Sequence, residues 1–277
     1  MNSDAYAIGE VFGAGAFIAT TYEEQFDHIF NFELASGMVN SVNGESNTSI
    51  NSAWRFTLKD IEDGDYATFL SNHDQNRVMS ILNGNEDKAK LAAFFLLTSS
   101  GTPFIYYGEE IGMQGKKPDE DIRLPMQWNS EANAGFTTGT PWRAVDVNFA
   151  DVNVSLQEND ADSLFKQYQT LIELRNQYPV LRAGKTYLLD TGNPGIYAII
   201  RSDGNQHLLV LVNLKDAIIS EYGLTLNENV LPDGIINLET LFGYVEASQI
   251  NIVDGKFSDY KPLDEIHPYS AYLFRLK

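Results

Sequence analysis

Hydrophobic and polar positions alternate along the chain in two textures. Up to about residue 182, short apolar runs are separated by segments of helical period. Residues 6–8 predict a buried strand ending at Gly9-Glu10, and residues 29–34 predict a second. Residues 50–62 predict an amphipathic helix, with Ser49 or Asn51 available as its cap. A third strand over 67–70 runs into the polar cluster Ser71-Asn72-His73-Asp74. An apolar helix over 88–98 is closed by Gly101-Thr102-Pro103, and residues 104–107 predict a fourth strand before Gly108-Glu109-Glu110. From Gly112 to about Ala161 the chain is polar and without period, a length that compact domains usually keep for function. Asp162-Ser163 then caps a helix over 164–177, where Leu164, Tyr168, Leu171, Ile172 and Arg175 recur at helical spacing and Pro179 follows. Strands alternating with helices in this way predict a parallel α/β layer.

After about Ala183 the texture changes. Short alternating runs at 187–189, 196–201, 207–212, 234–238 and 271–276 are separated by turn segments such as Gly192-Asn193-Pro194-Gly195 and Pro232-Asp233-Gly234. Strands punctuated by turn residues, with no helical period between them, predict a small antiparallel sandwich. The expected organisation is therefore an α/β unit over 1–182 and an all-β unit over 183–277.

Composition narrows the function classes. With 277 residues, 43% of them hydrophobic, the chain can bury a sizeable core without a covalent or metal staple. Its 38 acidic against 19 basic side chains give a formal net charge of -19. Such a surface repels phosphate backbones and anionic lipid, so neither nucleic acid nor membrane is an expected partner. Cysteine is absent, which removes disulfide frameworks, thiolate zinc sites and cysteine nucleophiles. The longest apolar runs, around 91–97, fall far short of the ~20 residues that cross a bilayer. Met1 is followed by Asn2, Ser3 and Asp4, so the chain as written predicts no signal peptide.

Two carboxylates, Glu10 and Asp74, each lie just past a predicted parallel strand. Catalytic groups of α/β barrels come from such strand ends. Glycosidic cleavage needs two carboxyl groups in different environments, one to donate a proton and one to face a developing positive charge. Strand-end caps or surface charges account for the same positions equally well. His73 fits a polar loop histidine, while His28, His207 and His267 are isolated, so no metal site is expected. No Gly-x-Ser-x-Gly nucleophile turn is present, and Gly13-Ala14-Gly15 lacks the third glycine of a dinucleotide fingerprint.

Longer segments around these residues carry a resemblance. Gly9-Glu10-Val11-Phe12, then Phe69-Leu70-Ser71-Asn72-His73-Asp74-Gln75-Asn76-Arg77, then the run from Gly101 through Tyr106-Tyr107-Gly108-Glu109-Glu110 to Gly112, occur in order. They resemble the later motifs of the α-amylase family of retaining glycoside hydrolases. The segments Asp121-Ile122-Arg123-Leu124-Pro125-Met126-Gln127-Trp128, Ala134-Gly135-Phe136-Thr137-Thr138-Gly139 and Pro141-Trp142 are similar to its bacterial amylase and oligosaccharide-glucosidase branches. The resemblance implies strands five to eight of a (β/α)8 TIM barrel with their helices, followed by the family's C-terminal β domain. It also implies Glu10 as general acid/base, Asp74 as stabiliser of the transition state, and His73 as a ligand of the sugar in the cleaved subsite. Arg77 shares the His73 motif, with sugar binding and a structural ion pair both open. Tyr106, Tyr107, Glu109 and Glu110 are expected as scaffolding at the barrel top. Arg123, Trp128, Phe136 and Trp142 lie in the long loop after the last barrel strand, where aromatic faces either stack on glucose or pack the loop.

One family feature has no counterpart. The Gly-x-Arg-x-Asp segment that carries the nucleophile should precede Glu10, and only nine residues do. A full barrel takes about 250 residues before any tail, against about 180 here. The expectation is a truncated α-amylase-type hydrolase of α-1,4-glucosidic bonds in starch or malto-oligosaccharides, inactive alone because Glu10 lacks a nucleophile about 5–5.5 Å away. An α-glucosidase or oligo-1,6-glucosidase, and a non-catalytic sugar-binding or scaffold relative, stand as alternatives. No cofactor is expected within the chain, and any Ca²⁺ ligands belong to the missing half. The family implies an extracellular or cell-surface location.

Overall fold

The structure, a computed structural model, describes residues 5–12, 21 and 25–277. Among them, β1 (Ile8–Gly9) pairs with β2 (His28–Ile29) through Ile8↔His28 and Gly9↔Ile29. Phe30 bridges Ala67, and β3 (Ala67–Phe69) pairs with β4 (Thr102–Phe104). Every one of these pairings is parallel, so all four strands point their C-terminal ends at one edge.

The strand predicted over 29–34 stops early. The Asn31 side chain accepts a hydrogen bond from the Leu34 amide at 2.9 Å and opens α1 (Phe32–Gly44) instead. Leu34, Met38 and Val42, one helical turn apart, are fully buried along α1. The next helix, α2 (Thr48–Asp60), packs so closely that a Cβ on Gly37 would lie 2.6 Å from the Ala53 Cβ. Neither Ser49 nor Asn51 caps α2; Asn47 holds that place and turns its amide outward to the Ile196 carbonyl, 2.7 Å away. Between β3 and β4 lie α3 (Val78–Ile81) and α4 (Glu86–Thr98), the latter capped by Asn85 at the Lys88 amide. β4 begins two residues before the predicted strand, because the register with β3 engages Thr102 to Phe104 and leaves Ile105 and Tyr107 exposed.

The long stretch after β4 builds its own small core. Ile111, Met113, Leu124 and Met126 are buried together, and the Gln127 amide fastens the loop through the Val152 carbonyl at 2.5 Å. Short helices α5 (Asp119–Ile122) and α6 (Val154–Gln157) interrupt it. Then α7 (Leu164–Gln177) starts at Ser163, whose hydroxyl accepts from the Lys166 amide, and α8 (Val180–Ala183) follows Pro179.

The all-β part holds a five-stranded antiparallel sheet in the order β10-β13-β7-β6-β5. These strands are β5 (Lys185–Leu188), β6 (Ile196–Ser202), β7 (His207–Asn213), β10 (Leu238–Phe242) and β13 (Ala271–Leu276). Two short pairs complete it: β8 (Leu224–Leu226) with β12 (Phe257–Tyr260), and β9 (Gly234–Ile236) with β11 (Ile250–Ile252). The single strand predicted over 234–238 is split at Asn237: Ile236 pairs into β11, whereas Leu238 pairs with Leu276 of β13.

Both faces of the central strands are covered, so β6 and β7 are buried at every position. Tyr197, Ile199, Leu208 and Val210 face the helices, in one core with Leu34, Phe95 and Leu171. Ile196, Ala198, Leu209 and Leu211 face the short pairs. Polar contacts lock the junction. Trp54 Nε1 donates to the Tyr197 hydroxyl at 2.8 Å. The buried Arg201 donates to the carbonyls of Thr98 (2.7 Å), Leu181 (3.2 Å) and Gly184 (2.6 Å). Replacing Arg201 by Met takes this donor from the buried Thr98 and Gly184 carbonyls, while the Leu181 carbonyl keeps Arg175 at 2.9 Å; urea unfolding is expected to show a loss of about 3–5 kcal/mol.

Candidate active site

Parallel strands bring their C-terminal loops to one rim, and the sequence places its acidic candidates there. Glu10 follows β1 directly and is exposed. Asp74 lies in a turn five residues beyond β3, its side chain 48% exposed. β1 and β3 flank β2, so their axes are about 10 Å apart, leaving width for a pyranose ring between the two loops.

Asp74 is held from two sides. Arg123 Nη2 donates to Asp74 Oδ1 at 2.8 Å and to Asp119 Oδ2 at 3.0 Å, while its Nε donates to the His73 carbonyl at 2.9 Å. The His73 ring lies 3.4 Å from the same Asp74 oxygen. Arg123 thus fixes both the side chain of Asp74 and the backbone before it. The sequence placed Arg123 only in a long loop, since 49 residues separate it from Asp74. Its position beside Asp121 in the Arg-Leu-Pro-Met-Gln-Trp segment was the available signal.

Arg77 sits beneath the rim, 1% exposed. Its Nη1 donates to the Tyr107 carbonyl at 2.7 Å, and its guanidinium lies 4.6 Å from the ring centroids of both Tyr106 and Tyr107. The charges that face it are Glu109 and Glu110. The Ser71 and Tyr168 hydroxyls donate to the Glu109 carboxyl at 3.1 and 2.9 Å, tying the loop of Asp74 to α7. Burial pushes the Glu109 carboxyl up to about 8, against the pull of those two hydrogen bonds. Burial also raises Glu110.

Beside the rim, Tyr107, Glu110, Arg123, Trp128, Phe136 and Trp142 line a cleft of 460 Å³. Trp128, Phe136 and Trp142 are exposed, so this loop presents ring faces as well as packing itself. Among the described residues no three acidic or histidine groups are placed to share a metal ion. The Gly13-Ala14-Gly15 segment lies outside the described residues.

The family defined by the alpha amylase catalytic domain matches residues 1–184. The chain belongs to the alpha-amylase family. It is 32% identical over 274 residues to an oligo-1,6-glucosidase of Heyndrickxia coagulans, covering 78% of this chain and 49% of that protein. With alpha-amylase 3 of Dictyoglomus thermophilum it shares 35% identity over 218 residues, 76% of this chain and 43% of the other. The crystal structure of the alpha-amylase from H. orenii superposes with a TM-score of 0.80 at 30% identity, over 99% of this chain and 54% of that one. The chain thus spans about half the length of the alpha-amylase-family relatives it matches. The expected fold class, part of a (β/α)8 barrel followed by an antiparallel β domain, holds.

Glu109 makes stability depend on pH. Folded, it keeps its proton up to about 8, whereas the unfolded carboxyl ionises near 4.5. Its stabilisation is therefore complete below the unfolded value and is lost as pH rises through the folded one, at up to about 1.4 kcal/mol per pH unit. Urea unfolding between pH 5 and 8 is expected to show Glu109→Gln losing less stability with rising pH than the parent.

Proposed function

We propose that these residues carry the acid/base side of a retaining glycoside hydrolase acting on α-1,4-glucosidic bonds of starch or malto-oligosaccharides. The supporting observation is that Glu10 and the Asp74–Arg123 pair occupy one rim of a parallel sheet in a chain of the alpha-amylase family. Residues 1–182 are assigned to the catalytic barrel and 183–277 to the C-terminal β domain. An extracellular or cell-surface setting accords with a substrate too large to cross a membrane.

In this reading the glucan lies across the rim and Glu10 protonates the glycosidic oxygen as the C1–O bond breaks. Asp74, oriented by Arg123, faces the positive charge that develops at C1 and the ring oxygen. An aspartate nucleophile takes C1 into a covalent glycosyl ester. Glu10, now ionised, accepts a proton from the water that displaces that ester. The 277 residues hold no Gly-x-Arg-x-Asp segment, so the nucleophile is assigned to polypeptide other than these residues. His73, exposed beside Asp74, is assigned to a sugar hydroxyl. Arg77 is assigned to positioning, because its burial keeps it from the sugar.

A second reading, cleavage of α-1,6 bonds, is favoured by the likeness to the Heyndrickxia coagulans oligo-1,6-glucosidase. Products from maltodextrin and from isomaltose separate the two.

The purified chain is expected to release no reducing sugar from maltoheptaose; turnover would overturn the assignment of the nucleophile. Joined to the first four barrel strands of a relative, Glu10→Gln is expected to lower kcat on maltoheptaose by about 10²–10⁴. An aryl glucoside whose leaving group needs no proton should retain much of its first step. Equal losses on both substrates would remove Glu10 from the acid role.

A further inference from the structure

The loop that carries His73 and Asp74 opens at Ser71 and closes at Arg77, just before α3. Both ends are held from below by one segment. Ser71 donates to the Glu109 carboxyl at 3.1 Å, and Arg77 Nη1 donates to the Tyr107 carbonyl at 2.7 Å. Between them the loop is stiffened by Asn72, whose side-chain oxygen accepts from the Asp74 amide at 3.0 Å. Arg77 also reaches the partner of Asp74. Its guanidinium lies 4.6 Å from the ring centroids of Tyr106 and Tyr107, whose hydroxyls donate to the carbonyls of Ile122 (3.2 Å) and Leu124 (2.7 Å). Those two residues flank Arg123. The place of one buried guanidinium therefore bears on both sides of the Asp74–Arg123 contact.

That guanidinium is poorly satisfied where it stands. Its Nε and Nη2 are buried without a hydrogen-bond partner, and so is Glu110 Oε2. A buried cation with two unused donors is drawn to a carboxylate charge that forms beside it. Glu109 can supply that charge. It is 2% exposed and acts on Arg77 through space, but shares no hydrogen bond with it. The other titratable groups that face Glu109 are Tyr168 on α7 and its neighbour Glu110. Burial holds the Tyr168 hydroxyl well above its ordinary range, so it stays a donor, while the charge of Glu110 opposes ionisation. Protonated, Glu109 offers Arg77 no charge, and its two oxygens are occupied by Ser71 and Tyr168. Ionised, it presents a full negative charge to the unused N–H groups.

We propose that Glu109 is a positioning residue of the rim: with its proton on, Arg77 stays against the two tyrosine rings and Arg123 meets Asp74; with its proton lost to solvent, Arg77 turns onto it and the Asp74–Arg123 contact loosens. An alkaline limit on cleavage rests in addition on the function proposed above, whereas the movement itself is read in the chain alone. Proton–nitrogen NMR of the full chain, from about pH 7 to 9.5, follows the Arg77 Nε–H resonance, assigned by its loss in Arg77→Lys, and the amides of Asp74 and Arg123. In the parent all three are expected to shift together with a midpoint near 8, the Nε–H moving downfield as it gains an acceptor. Glu109→Gln, which keeps the shape without the charge, is expected to remove this transition from all three. Tyr168→Phe takes a donor from the ionised carboxyl and is expected to raise the midpoint. An Nε–H that stays still in the parent, or that titrates alike in Glu109→Gln, overturns the proposal. If the Nε–H titrates while the Asp74 and Arg123 amides do not move, Arg77 answers Glu109 locally and the positioning role falls.

Discussion

Two buried guanidinium groups, Arg175 and Arg201, join the helical layer to the sheet behind it. Both donate to the Leu181 carbonyl, and between them they take the carbonyls of Leu97, Thr98, Ser99, Gly101 and Gly184. Leu97 and Thr98 end α4, where carbonyls lack partners within the helix and carry the negative end of its dipole. The cations therefore meet a concentrated negative potential, to which the charge of Asp63 adds at Arg201, without a salt bridge to a carboxylate among the described residues. Burial, with Arg201 close by, pulls the Arg175 guanidinium down to about 9, which leaves it charged at neutral pH. Like charges this near each other persist because each satisfies several buried acceptors that nothing else reaches.

That junction sets the geometry of the rim. Arg175 grips Ser99 and Gly101 immediately before β4, so it fixes where that strand enters the sheet and hence its register with β3. From the far ends of these two strands emerge the loop of His73 and Asp74 and the segment of Tyr106 to Glu110. Arg77 and Glu109 then stitch those two loops together beneath the surface. The exposed residues of the rim rest on buried polar contacts, which in turn rest on a junction at the opposite end of the strands.

Much of this was legible where a pattern was long. Residues 164–177 showed helical spacing and a serine cap, and both appear as α7. Residues 271–276 showed alternation and form β13. The parallel strands were harder, because they are two or three residues long and owe their identity to register rather than to composition. α1 was missed although Leu34, Met38 and Val42 recur every fourth residue; the apolar run before Asn31 hid a cap that only its bond to the Leu34 amide reveals. β8, β11 and β12 were missed because three or four residues carry too little alternation to register. At the site, motif order pointed to His73 and Asp74. Nothing local linked Arg123 to Asp74, nor showed that Glu109 is buried while Asp74, on the preceding loop, remains half exposed.

The charge of -19 takes on a different meaning once burial is known. Arg77, Arg175 and Arg201 are spent inside the fold, so the exterior is more acidic than the composition states. A field of that sign repels anionic ligands at long range and adds little to the capture of an uncharged one. Recognition of a neutral glucan would fall instead to short-range groups: ring faces for the C–H side of each sugar and fixed polar atoms for its hydroxyls. Three of the exposed rings lie where such contacts would be made. Trp128, Phe136 and Trp142 stand beside the rim. An acidic exterior and aromatic rings at the rim are thus two sides of one constraint: a neutral sugar would be held here by contact rather than by charge.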